Sequence, residues 1–533
     1  MKKRILFHKA EMTVVLMIGA TMISKVLGML RQMMMASIFA ASMEGIAFSA
    51  ASGIPLAIFD MLFSAAVLGS FLPIYRGYLD TDEKRARSFS SSFLTVIFLL
   101  TTVSAILGMV FARPILRLAA PDLDENTVAL AVVLLRVMFP GMILAGVTYI
   151  LVGIFQSHER FLRPAFISSV SNLLVLLYLL HCKKTDGGAS AVGLSFFCLL
   201  SWISQFLTLA IPLWRERAFP PPAKRWKTED TVLALKRAVP VMLGSWLIPM
   251  TTLIAKALAS FVESDTLEPG VYAGAAIVVY ENAFSVFSIA AGLMTYGICN
   301  YLFPKMAARF SAGRDGALSS LIRKGFFAAM ALILPVSGAL FLLSEEIVGL
   351  LYLRGNFTEG LASATAVGLK ILSIAMPAYG MTEFFSRVCY SCARVRRPML
   401  ASAAGIAISL LTGLFFLMTD GISVETVSLS VVFGQTVAGV IMLISCLDFM
   451  VAEGKREWIK YGFLAVGFCI SVVAMGLCRD YLRQNLHFFN AFQNFLIGAI
   501  VFSVGFMVYS IWWILLKNVH VFDLRFAIAS EDV

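Results

Sequence analysis

Fourteen apolar runs of roughly 20 residues, each closed by a polar break, divide nearly the whole chain. A run of about that length is what a helix needs to cross the hydrocarbon of a bilayer. No water is at hand there for backbone N–H and C=O groups, so each run is expected as a helix. The runs fall at approximately 12–42, 46–75, 89–112, 127–156, 162–181, 189–213, 232–262, 270–303, 319–343, 361–392, 398–418, 423–450, 458–478 and 492–516. Several exceed a straight crossing, so tilts and kinks are expected, with Gly53, Pro55 and Pro249 as kink sites. Only 14% of the 533 residues are charged, against about 25% in a soluble domain. The expected class is therefore an all-α polytopic membrane protein. The start, Met1 to Lys9, has the basic character of a signal peptide. The run behind it carries Lys25 and Arg31 and no clear cleavage site, so it is expected as a retained first span.

The net charge of +11 would suggest nucleic acid in a soluble protein, but its distribution points elsewhere. With the N-terminus cytoplasmic, 30 of the 43 Lys and Arg fall in or beside alternate loops, and seven fall on the opposite side. That asymmetry is expected to hold both termini in the cytoplasm. Nucleic acid is not an expected partner. Seven of the eight cysteines lie in or at the ends of spans. The pair Cys389-x-x-Cys392 reads as small apolar packing, because no second pair or nearby histidine accompanies it. The five histidines form no cluster. No catalytic constellation is present in the sequence, and neither a metal nor a cofactor is expected.

Two short correspondences indicate an internal repeat of six spans. Arg160, Arg163 and Pro164 superpose on Arg394, Arg397 and Pro398 at an offset of 234 residues. Phe71-Leu-Pro73 and Leu302-Phe-Pro304 match at an offset of 231. An even-numbered repeat places both halves in one orientation, the parallel arrangement of transporters whose site lies between halves. The expected organisation is an N-lobe over 1–214, a linker over 215–231 with Pro220-Pro-Pro222 and Trp226, a C-lobe over 232–451, and two further spans with a tail over 452–533.

Charges inside the spans carry the functional signal. A charge at mid-bilayer costs at least ~2.5–3.5 kcal/mol, so each needs water, a partner or a ligand. By this segmentation Lys25, Arg31, Arg136, Lys256, Lys370 and Arg387 face Asp60, Glu281 and Glu383. The excess of cations in a low-dielectric cleft favours an anionic ligand, with Lys and Arg as donors to phosphate oxygens. Asp60 is at a depth to neutralise Lys25, which would make Lys25 structural or gating. Glu383 and Arg387 stand at i and i+4 with the acid first, a favourable helical ion pair. Arg136 and Lys370 are roughly repeat-related beside Pro140 and Pro377. Lys25 and Arg31 splay by roughly 120° on a straight helix, so a shared ligand would require a bend at Gly28.

The chain resembles the MurJ (MviN) lipid II flippase family of the multidrug/oligosaccharidyl-lipid/polysaccharide exporter superfamily. The residues that carry the resemblance are Ser24-Lys-Val-Leu-Gly-Met-Leu-Arg31, Ala47-Phe48, Pro55, Phe71-Leu-Pro73, Arg160-Phe-Leu-Arg-Pro-Ala-Phe166 and Arg354-Gly-Asn-Phe-Thr358. The resemblance implies two pseudo-symmetric six-helix lobes plus two C-terminal helices. It implies transfer of lipid-linked peptidoglycan precursor from the inner to the outer leaflet of the bacterial cytoplasmic membrane. A cationic cavity would hold the pyrophosphate, and the last two helices would guide the prenyl tail. The candidate substrate-binding residues are Lys25 and Arg31, with Lys256, from the charge pattern of the seventh span, as a replacement cation. Ser24, Gly28, Asp60, Glu281, Asn282 and Arg354 are the candidates for cavity or gating roles. Lipid II and membrane lipid are the implied partners, with cell-wall synthesis proteins as the protein candidates. Departures are several: Lys25 stands where the family has Arg, Gln32 where it has an acid, Phe59 and Asn282 where it has Arg, and Ile46 and Ser64 where it has acids. The rival readings are a flippase for another polyprenyl-pyrophosphate oligosaccharide, a cation-coupled drug exporter, and a scaffold or glycosyltransferase of cell-wall synthesis. The exporter would want an acid-rich cleft, and the enzyme a large soluble loop that the short basic segment 213–231 does not provide.

Overall fold

The computed structural model describes residues 2–64, 70–79, 81–184, 190–223, 228–294, 299–313, 315–392, 394–419, 421–450, 455–485 and 490–518. Trp226 of the expected linker and the junction at 451–452 lie outside these residues. Every regular element among them is helical. Eleven helices are long and apolar enough to cross a membrane, or twelve when Glu359–Ile374 and Met376–Ser391, bent by 48°, count as one span. The expected first span corresponds to α1 (Lys2–Phe39), and the seventh to two shorter helices. The described residues form two units, one of Met1–Asn282, Arg354–Ala364 and Val395–Gly434, the other of Ala283–Leu353, Thr365–Arg394 and Gln435–Val533.

In the first unit, the second span is built of α2 (Met43–Ser52) and α3 (Ile54–Phe59), then a π-helical turn over Asp60–Ser64. The break falls at Gly53, and Pro55 occupies the first turn of α3, where a missing N–H does least harm. Next come α4 (Leu72–Leu79), α5 (Glu83–Val110), α6 (Ala112–Ala119), α7 (Glu125–Met138), α8 (Pro140–Ser157), α9 (Leu162–Lys184) and α10 (Ala191–Arg215). Phe71 centres their aromatic core, with Tyr75, Phe89 and Phe93 at 5.2, 5.6 and 5.2 Å between ring centres. Gly153 lets Phe71 approach α8, since a Cβ there would lie 3.0 Å from the ring. The seventh span splits into α11 (Glu229–Gly244) and α12 (Leu247–Ala259), with Pro249 in the first turn of α12. Side chains answer the groups that the breaks release: Ser402 Oγ donates to Gly244 O at 2.7 Å, and Trp246 Nε1 to Met61 O at 2.8 Å. At the start of α11, Asp230 accepts from Tyr78 and from Arg85. Burial works to raise this carboxyl, but the hydrogen bonds from Arg85 and Tyr78 outweigh it and hold it below the usual range.

The remaining helices are α13 (Ala275–Met294), α14 (Asn300–Ser311), α15 (Asp315–Leu342), α16 (Ser344–Tyr352), α17 (Glu359–Ile374), α18 (Met376–Ser391), α19 (Arg396–Met418), α20 (Val424–Ser445), α21 (Lys455–Asn485) and α22 (Asn490–Asn518). In the second unit Phe326 of α15 packs on Phe385 at 4.8 Å and on Tyr461 of α21 at 5.9 Å. The α21–α22 hairpin closes where Ser471 Oγ donates to Gly505 O and Trp512 Nε1 to Phe463 O, both at 2.9 Å. Helix α21 continues past the expected end at 478, so Arg479 and Arg483 are helical. Both guanidiniums donate through Nε to Glu346 Oε1, at 2.7 and 2.8 Å, and both reach Glu345.

The two turns that suggested the repeat share two backbone hydrogen bonds. Arg160 N–H donates to Phe155 O and Arg394 N–H to Cys389 O, five residues back in each case. His158 and Cys392 likewise donate four residues back, to Ile154 and Val388. All four donors and acceptors are related by the offset of 234. Glu159, at φ 59°, takes the left-handed position of this Schellman-type helix end.

The cluster in the second unit yields a contrast in stability. Glu346 is 1% exposed and Glu345 55%. Glu346→Ala removes the buried carboxylate that both guanidiniums share, leaving them the exposed Glu345 alone, and is expected to cost about 3–5 kcal/mol, whereas Glu345→Ala is expected to cost less than about 1 kcal/mol. Thermal unfolding in detergent checks this, with a large drop for the first variant and a small one for the second.

Candidate functional site

A cavity of about 230 Å³ lies inside the first unit, walled by α1, the α2–α3 break, α7, α8, α9, α10 and Glu281 of α13. Its polar groups include Arg31, Gln32, Ser171, Ser201, Gln205 and Glu281; its apolar walls include Phe48, Phe59 and Trp202. Arg31 Nε is buried with no hydrogen-bond partner among the described residues. An unanswered buried guanidinium N–H is costly, and a ligand oxygen would relieve that cost. Gly141 lets Trp202 press against α8, because a Cβ there would be 3.0 Å from the ring.

Two polar links lie beside this cavity. Gln32 Nε2 donates to Asn282 Oδ1 at 3.0 Å. This neutral bond joins α1 to α13 at two of the positions where the chain departs from the family resemblance. Lys256 of α12 is buried, and its Nζ donates to Ser49 O at 2.6 Å and lies 3.4 Å from Glu281 Oε2. Ser49 is among the last four residues of α2, whose carbonyls have no partner within the helix and carry its negative dipole end. The ammonium is therefore held by a helix terminus and a carboxylate, and it reaches the cavity through Glu281 rather than as part of the lining.

The other candidates occupy distinct places. Helix α1 runs through Gly28 without interruption, and of its two intramembrane cations Arg31, not Lys25, is in the described lining. Gly28 serves a seam: Asn172 Nδ2 of α9 donates to Ser24 O at 3.1 Å, and a Cβ on Gly28 would sit 3.3 Å from that nitrogen. Asp60 opens the π-helical turn below α3. Arg354 is exposed, in a loop whose Asn356 donates to Ser37 O at 2.9 Å and Ile38 O at 2.8 Å at the end of α1. Arg136 is exposed and donates to Met109 O at 3.2 Å, and Lys370 lies over the Phe341 ring at 5.2 Å. Glu383 and Arg387 pair within α18 at 3.6 Å.

Sequence reasoning passed over Ser171, Ser201, Trp202 and Gln205, because uncharged polar residues are inexpensive in a helix. One signal was available: Cys198, Ser201, Trp202 and Gln205 recur at the spacing of one helical face. Ser49 contributes through its backbone, which no side-chain pattern reveals.

Residues 35–492 match the model of the family described as "Lipid II flippase MurJ". The probable lipid II flippase MurJ of Buchnera aphidicola subsp. Acyrthosiphon pisum (strain APS) is 25% identical over 395 residues, 72% of this chain and 73% of that one. Its counterpart from Bdellovibrio bacteriovorus (strain ATCC 15356 / DSM 50701 / NCIMB 9529 / HD100) is 23% identical over 497 residues, 91% and 92% of the two chains. Among solved structures, a lipid II flippase MurJ in an inward closed conformation superposes with a TM-score of 0.76 at 18% identity, covering 95% of this chain and 100% of that one. An inward-facing multidrug resistance MATE family transporter of the MOP superfamily gives a TM-score of 0.64 at 13% identity, covering 82% and 100%. These structural likenesses concern the fold, and it is the family match over most of the length that assigns the sequence: the chain belongs to the MurJ family.

Proposed function

We propose that this protein is a lipid II flippase of the bacterial cytoplasmic membrane and that Arg31 is the principal ligand of the pyrophosphate. The observation that carries the assignment of the site is the unanswered guanidinium N–H of Arg31 in a largely apolar cavity that also holds several polar side chains. At about 230 Å³ the space is smaller than the ~300–1,000 Å³ of a pocket for a drug-sized ligand. It suits a diphosphate, with the sugar–peptide head extending beyond it and the prenyl tail left in lipid. The guanidinium fork matches two phosphate oxygens, and Gln32, Ser171 and Gln205 supply neutral polar groups around it. The charge asymmetry of the loops supports a cytoplasmic position for both termini. Lys25 then lies about 9 Å nearer the cytoplasmic end of α1 than Arg31, at ~1.5 Å per residue, and meets the anionic head first. Alternating access moves the head across while the tail stays in the membrane.

Arg31→Ala is expected to insert and express normally yet lower lipid II translocation at least about tenfold, the scale of one charge-assisted hydrogen bond. Arg31→Lys should retain an intermediate rate, because charge survives without the fork. Growth of a strain depleted of its own lipid II flippase, together with an assay of labelled lipid II accessibility at the outer leaflet, reads both. Full complementation by Arg31→Ala contradicts the assignment.

Lys25→Met is expected to slow capture at low lipid II and to approach the wild-type rate when lipid II is abundant, since an approach charge acts on encounter. Transport in proteoliposomes at increasing lipid II content measures this. A loss that persists at high content would instead place Lys25 on the bound head.

A further inference from the structure

Gly53, at the break between α2 and α3, lines the cavity and has no side chain to fill it. A Cβ at that position would stand 3.4 Å from Lys256 Nζ. The buried ammonium is therefore separated from the cavity by the width of one glycine. Its grip on Glu281, at 3.4 Å, is longer than the ~2.7–2.9 Å of a well-formed charge-assisted hydrogen bond. Its short bond is to the Ser49 carbonyl. An ammonium has three N–H donors, and the carbonyl leaves capacity for a stronger acceptor than the loosely held carboxylate. Glu281 itself borders the cavity, so an anion seated beside Gly53 would meet both the ammonium and its counter-ion.

We infer that Lys256 is a reserve cation of the cavity, screened behind Gly53, and that Glu281 is an internal carboxylate which the pyrophosphate of the substrate displaces from it. This rests on the lipid II reading above. In the empty protein Glu281 spares Lys256 the cost of standing as an uncompensated buried ion. A pyrophosphate brings more charge and more acceptor oxygens than a carboxylate, so it takes the ammonium and leaves Glu281 to the polar side chains of the cavity. Loading thereby breaks the α12–α13 link, and unloading restores it. Glu281 thus sets how tightly the head is held, and release is assisted from within.

The test uses the full chain in detergent, with lipid II as ligand and inorganic pyrophosphate as competitor. Glu281→Gln removes the competing charge and is expected to bind lipid II about tenfold more tightly, the scale of one charged hydrogen bond, while translocating it more slowly in proteoliposomes. Gly53→Ala closes the window without disturbing the ion pair. Its φ of −79° accepts any residue, and the added methyl makes ordinary contact, so it should unfold at the wild-type temperature yet bind several-fold more weakly. Gly53→Ala also decides the matter if Glu281→Gln fails to fold. Inorganic pyrophosphate should follow the same order of affinity. If the wild-type protein flips lipid II and both folded variants bind it unchanged, the inference is overturned and the flippase reading stands. If the wild-type protein does not bind lipid II but pyrophosphate shows the expected order, the flippase reading fails and the reserve cation stands for another pyrophosphate-bearing ligand.

Discussion

An ammonium buried among apolar helices must be met by acceptors, and those that meet Lys256 shape the centre of the first unit. The Ser49 carbonyl is available because α2 ends three residues later, at Ser52. That ending is itself a consequence of Gly53 and of Pro55, whose ring cannot continue the helix. The chain break, the exposed carbonyl, the docked cation and the thin wall beside the cavity are one arrangement. Glu281 completes it from α13. Removing any one of these groups would leave another unanswered in a medium where that is expensive.

Charges elsewhere in the chain are met in several other ways. Arg479 and Arg483 converge on Glu346 and bind α21 to α16 within the second unit. Glu383 and Arg387 neutralise each other along one helix. Arg136 and Lys370, roughly equivalent in the repeat, are exposed on their own units, one on a carbonyl and the other over a ring. Arg387 Nε is also buried without a hydrogen-bond partner among the described residues, but its guanidinium has Glu383 beside it; the unanswered N–H of Arg31 belongs to a side chain that lines the cavity.

Much of the architecture is legible in the sequence. The hydropathy runs anticipated the spans, and the short proline motifs at 160–164 and 394–398 marked turns whose hydrogen bonds do coincide at the same offset. Such features are local: a span follows from its own composition, and a helix end from the few residues that build it. The site was legible only in part. Arg31 stood out because a charge in a membrane helix is conspicuous, while Gln205, Ser201 and Ser171 did not, because neutral polar side chains are common in such helices.

What the sequence determined by itself was the medium, the helical class, the breaks and the inventory of charges, since each of these depends on residues close together in the chain. Which charge meets which was decided by the tertiary structure. Lys256 and Ser49 are separated by 207 residues, and Gln32 and Asn282 by 250. The sequence marks Gly28 as a candidate for a bend in α1 and for a cavity or gating role, and the position of Asn172 shows it as the seam on which α9 rests. Likewise Gly53 could be recognised as a helix break, but not as the wall between a cation and a cavity. An ion in a low-dielectric interior is governed by its nearest few ångströms, and packing alone brings distant segments to that range.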